Sequence, residues 1–174
     1  MKAIVLGIIL LVAAGHTTTA QEKHAAAKPV TVDIKNAQGQ SVGTALLTSA
    51  PHGVKIALDI KSLPPGEHSI HIHQVAKCEA PDFKSAGPHF DGMGAGHDHM
   101  AHGTTPAGDI PNFSLIVGAD GTAHTSVVAP SVTLGSDDHS VFSNGGTAIV
   151  IHAVAGGEGS APARIACGVI TKPE

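Results

Sequence analysis

Tryptophan and tyrosine are absent from the 174 residues, phenylalanine occurs four times and cysteine twice. With so few large aromatic rings the core is expected to rest mainly on Val, Ile, Leu and Ala, which suits short strands joined by tight turns. Basic residues are also scarce, with ten Lys and Arg against fourteen Asp and Glu. That balance argues against a nucleic acid or an anionic membrane as partner. No apolar run reaches the roughly 20 residues that span a bilayer. The run Ala3–Ala14 stops at twelve, follows Lys2 and precedes the small-residue stretch HTTTA. This is the pattern of a secretory signal peptide, residues 1–20, with cleavage expected after Ala20. No cysteine follows the run to carry a lipid. The expectation is an exported protein, periplasmic or extracellular, with no membrane attachment once the leader is removed.

Residues 21–174 then form one domain behind a polar, Ala-rich lead-in at 21–28, with the folded part at 29–174. They carry nine basic and fourteen acidic residues, a formal charge of −5 with histidine neutral. Cys78 and Cys167 lie 89 residues apart. An even pair in an exported chain favours a disulfide over two free thiols, and closing so long a loop stabilises a fold by about 4–5 kcal/mol. A Cys–His metal site is the competing reading.

What the chain does contain is a period of two. VTVDIK, SVGTALLTS and VKIALDIKSL alternate apolar and polar residues. In the third, Val54, Ile56, Leu58 and Ile60 face one side, and Lys55, Asp59 and Lys61 the other. The histidine segment HSIHIH, NFSLIVG, TAHTSVVA, TAIVIHAV and ARIACGVIT continue the series, with GADG read as a hairpin turn between NFSLIVG and TAHTSVVA. No stretch sustains a helical period. Eight short strands between Gly and Pro turns predict an all-β antiparallel sandwich or flattened barrel. Two connections exceed ordinary turns, residues 76–111 and 131–146. Loops of that length are commonly functional. The second, with Asp137, Asp138 and His139, reads as a solvated surface connection.

Thirteen histidines are the strongest signal. In a strand His71 and His73 share one face, with Ile70 and Ile72 on the other. His152 shares a face with Ala148 and Val150, and His89 lies in the long loop. Buried imidazoles each need a partner for their ring nitrogens, and several that converge suit copper, zinc, nickel or iron.

GEHSIHIHQVAKC, SAGPHF, GDIPN, AIVIHA and ARIACGVI, in that order, resemble the copper/zinc superoxide dismutases, the exported bacterial kind in particular. The resemblance implies an eight-stranded Greek-key barrel with one long metal-binding loop and a Cys78–Cys167 disulfide. It implies copper on His71, His73, His89 and His152, with superoxide as the substrate and dioxygen and hydrogen peroxide as products. His68 would brace neighbouring loops. His89 would bridge copper and zinc, and Arg164 would stand beside the copper as the guide for a small anion.

Two departures concern zinc. His97 and Asp109 fall at suitable spacings, eight and twenty residues after His89, but the remaining zinc histidine is replaced by Pro106. His99 or His102 are candidate substitutes. His152 and Arg164 are only twelve residues apart, and Gly156 stands where the family has an aspartate linking the two metal sites. The expectation is therefore activity with copper alone, with zinc absent or readily lost. A copper-binding or copper-delivery module without turnover, drawing on Met93, Met100 and the nearby histidines, is the alternative function. The sequence leaves monomer and homodimer open.

Overall fold

The computed structural model describes residues 27–92, 105–153 and 162–174. The leader, most of the lead-in, His97, His99, His102, Met93, Met100 and Gly156 lie outside them. Among the described residues there is no α-helix, and the regular structure consists of nine strands and two short 3-10 turns, Lys84–Ala86 and Ser143–Gly145. These are β1 (Val30–Asn36), β2 (Ser41–Ala50), β3 (Gly53–Ile60), β4 (Gly66–His68), β5 (Ile70–His73), β6 (Leu115–Val117), β7 (Ala123–Ala129), β8 (Thr147–His152) and β9 (Arg164–Ile170). The expected all-β antiparallel architecture is present. All eight expected strands appear, the histidine segment being divided in two at Ser69.

The sheet of seven strands runs β5-β8-β9-β1-β2-β3-β7, and β4 pairs with β6 in a small second sheet. The alternation in β3 is realised as read: Val54, Ile56 and Ile60 are fully buried and Leu58 nearly so, while Lys55 is exposed. Burying each such side chain stabilises the fold by about 1.5–3 kcal/mol. A turn at Asn36–Gln40 joins β1 to β2, the Asn36 side chain accepting the N–H groups of Gln38 and Gln40. GADG does form a turn, with Gly118 N–H donating to Thr122. The strands it joins nonetheless pair elsewhere, β6 with β4 and β7 with β3, so it is not a hairpin. A local turn signal reports the reversal of the chain but not the partners that burial selects.

Dividing the histidine strand has a structural use. His68 is almost fully buried, with ring nitrogens 2.9 Å from the carbonyl oxygens of His152 and Pro64. It ties the segment before β4 to the end of β8, in line with the bracing role expected of it. One residue later β5 joins β8, with His71 opposite Val150 and His73 opposite Ala148.

β8 is buried at all six positions. Ile149 and Ile151 enter the main core with Ile34, Ile56, Ile70 and Ile72. Ala148 and Val150, on the other face, join Phe83, Ala86 and Cys167 in a second, smaller cluster. The long loop after β5 supplies this cover, and Cys78 is bonded to Cys167 with Cα atoms 5.6 Å apart. The loop also protects the free edge of β5. Gln74 N–H donates to Pro88, Phe90 N–H to Ile72, and Ile72 N–H to Gly108. Gly108 is required there, since a Cβ would fall 2.1 Å from the Ile72 carbonyl oxygen.

The connection 131–146 is more than solvated surface. Asp137 accepts hydrogen bonds from the Thr133 hydroxyl and the His139 N–H, and a His139 ring nitrogen lies 2.9 Å from the Ser131 carbonyl oxygen. Asp137 and His139 stay exposed while closing the loop on itself.

Candidate metal centre

Three separate segments bring four histidines to one place. His71 and His73 project from the outer face of β5, and His152 ends β8. His89 is carried by the chain lying along the β5 edge, its backbone bridged to that of His73. One ligand atom from each lies within 4.8 Å of the others. Nitrogens on opposite sides of an ion with bonds of about 2.0–2.1 Å would be about 4 Å apart, so the cluster has the dimensions of a metal site.

Hydrogen bonds orient most of the rings. His73 donates its Nδ1–H to the Gly87 carbonyl oxygen at 2.9 Å, and His152 its Nδ1–H to Pro162 at 3.2 Å. Their Nε2 atoms then meet at 3.3 Å inside the cluster. His89 directs Nδ1 to the Asp109 carboxylate at 2.5 Å, which leaves its Nε2 free to bind. His71 differs, because its Nδ1 is buried with no hydrogen-bond partner. A buried polar atom left in that state is costly, and a metal ion would satisfy it.

Electrostatics keep the rings in their ligand form. Burial, reinforced by His89 and His152 and opposed by Asp109, lowers the His71 pKa to about 4. Burial is likewise the main cause at His73, where the pKa falls to about 3, with His89, Arg164 and His152 adding to it against the Gly87 hydrogen bond. His152 is lowered by burial first and then by His89 and Arg164, against its bond to Pro162. At neutral pH these imidazoles need shed no proton to bind a cation. A donor set of imidazoles without thiolate suits copper or zinc.

Arg164 faces His152 across the β8–β9 ladder. Its Nη1 donates to the Phe83 carbonyl oxygen at 2.7 Å and its Nη2 to Gly87 at 2.8 Å. Burial, partly offset by Asp82, draws its pKa below the ordinary arginine value, yet a guanidinium remains charged at neutral pH. A fixed positive group thus sits beside neutral imidazoles.

A family model described as copper/zinc superoxide dismutase matches residues 41–170. The chain belongs to the copper/zinc superoxide dismutase family. The copper–zinc superoxide dismutase 1 of Aquifex aeolicus is 40% identical over 148 residues, covering 79% of this chain and 85% of that protein. The Caulobacter vibrioides enzyme is 36% identical over 148 residues, covering 80% and 84%. The crystal structure of a superoxide dismutase-like protein from Bacillus subtilis superposes with a TM-score of 0.66 at 31% identity, covering 80% of this chain and 96% of that one.

Within this family fold the structure brings together all four histidines expected to hold copper, with Arg164 alongside. Among the described residues they are the group of side chains able to hold a metal ion. Of the expected zinc set only His89, Asp109 and the ligand-free Pro106 can be placed. Asp109 contacts the His89 ring directly, while its backbone N–H donates to Pro106. Sequence reasoning did not single out Phe83, Gly87 or Gly108, which position the site through backbone atoms. Only the glycines carried a signal, in GPH and PAGD.

Proposed function

We propose that the protein is an exported superoxide dismutase whose copper is held by His71, His73, His89 and His152. The observation that carries this reading is the unpartnered, buried Nδ1 of His71 within the cluster of four histidines, with a guanidinium alongside. Copper bound there would supply the reversible one-electron exchange by which two superoxide ions, with two protons from solvent, become dioxygen and hydrogen peroxide. The protein's own residues handle the anion and the geometry. Arg164 provides local positive charge on a net-negative chain, drawing superoxide toward the histidines and orienting it. Gly87 and Pro162 fix His73 and His152 in the tautomer that presents Nε2. Asp109 holds the proton on His89 Nδ1 and so keeps Nε2 directed inward. Pro106, which offers no ligand atom where the family has a zinc histidine, supports a site working with copper alone. The leader at 1–20 supports export.

Superoxide turnover and metal content of the chain from residue 21 onward test the proposal together. After dialysis against a mild chelator, one copper per chain, little zinc and full turnover are expected. Copper without turnover would make the protein a copper-binding module. A tightly held zinc required for activity would overturn the copper-only reading.

A further inference from the structure

Three features coincide at Phe83. Its ring is 2% exposed, its backbone is left-handed at φ 53° and ψ 22°, and its carbonyl oxygen accepts Nη1 of Arg164. Left-handed backbone is disfavoured for residues with a Cβ and is a real outlier for a bulky one. It persists where the surroundings over-determine it, and such residues gather at functional sites.

The surroundings here can be named. The ring packs with Ala86, Ala148, Val150 and Cys167, and Cys78 lies against the same cluster. On the backbone, Phe83 N–H donates to Glu79, and the Asp82 carboxylate accepts Lys84 N–H on the far side of the turn. The Phe83 carbonyl oxygen also accepts Ala86 N–H at 3.1 Å. Both lone pairs of that oxygen are therefore used, one closing the turn and one holding the arginine. An ordinary right-handed or extended residue at this point would send the carbonyl elsewhere.

We infer that Phe83 is a positioning residue for Arg164: its ring, anchored against β8 and the disulfide, holds a left-handed backbone whose carbonyl fixes the guanidinium beside the histidine cluster. The inference rests on the proposed role of Arg164 as anion guide. Without Phe83 in place, Arg164 keeps only Gly87 of its two carbonyl partners and can swing away from the histidines.

Azide, a small monoanion, is the probe on the copper-loaded protein, followed optically. The metal-free protein gives an independent readout through NMR exchange of the Arg164 guanidinium N–H groups. Phe83→Ala removes the ring but keeps the left-handed penalty, so azide affinity falls by roughly three- to tenfold, the scale of one net hydrogen bond. Phe83→Gly adopts the left-handed backbone freely and loses less, about threefold or under on the same scale. In both, guanidinium exchange quickens without metal. In an Arg164→Ile background the Phe83 substitutions change azide affinity no further. If Arg164→Ile weakens azide but Phe83→Gly changes neither azide affinity nor exchange, the inference is overturned while the function stands. If Arg164→Ile leaves azide binding unaltered, the anion-guide reading itself fails. Should Phe83→Ala not fold, Phe83→Gly decides by the same two readouts.

Discussion

Strands β1, β2, β3 and β7 share a sheet with β5, β8 and β9, yet the two groups are buried differently. β1 alternates between buried and exposed positions from Val30 to Lys35, because one of its faces meets the core and the other meets water. β8 has no exposed position. Its inner face meets the same core, and its outer face lies under the loop that the disulfide ties down. The first group stabilises the fold. The second, covered on both sides along β8 though open at Val169 of β9, can hold polar side chains away from water, where imidazoles stay neutral and a fixed charge is felt strongly. The histidine cluster sits in the half of the sheet that acquired a second layer.

Substitutions on each side should separate these roles. The largest effect is expected from His73→Ala, which removes a ligand from the covered half. Changes to partners outside the ligand set cost about 10–100-fold in metal affinity, so superoxide turnover should fall by more than that with a matching loss of copper. Circular dichroism of the disulfide-bonded protein should remain that of the wild type. Undiminished turnover would remove His73 from the site. Next comes Ile56→Ala in the open half, which should destabilise the protein by about 2–5 kcal/mol as a core truncation. Urea unfolding measures this, and copper affinity below the transition should be unchanged. Copper loss in the folded Ile56→Ala protein would break the division between the halves.

A further effect is a dependence on pH in the covered half. His71 and His73 titrate near 4 and 3 when folded, against 6.5 unfolded. Between those limits the unfolded chain binds more protons, so the metal-free protein loses stability as pH falls from 6.5 toward 3. Above 6.5 these two groups add no slope. Urea midpoints of metal-free wild type and His73→Ala, compared from pH 7 to pH 4, should converge as the pH falls. Parallel curves would show that the His73 environment is not what sets the slope.

The open half was legible in the sequence because water on one face enforces a period of two, as in VKIALDIK. The histidine positions were legible for the same reason: alternation alone puts His71 and His73 on one face and His152 with Ala148 and Val150. The limit appears where the chain acts through backbone atoms. Nothing in the side chains of SAGPHF or PAGD says that Pro88 and Gly108 would supply hydrogen bonds to the edge of β5. Phe83 resembles any apolar residue until its φ is known. The GADG turn was read from local residues, whereas the pairing of β6 and β7 is decided by distant burial. The contact of Asp109 with His89 follows from two segments converging, which spacing alone does not reveal.

The Gly87 carbonyl oxygen receives both the Nδ1–H of His73 and the Nη2–H of Arg164. Under the proposed function one atom would therefore serve two phenotypes, the grip on the metal and the pull on the anion. A change in the loop that displaces this oxygen would move both at once, so mutational drift could not trade one for the other. Selection acting on either trait constrains the same short stretch, Gly87 to His89, and engineering for faster anion capture would best begin at residues that do not touch it.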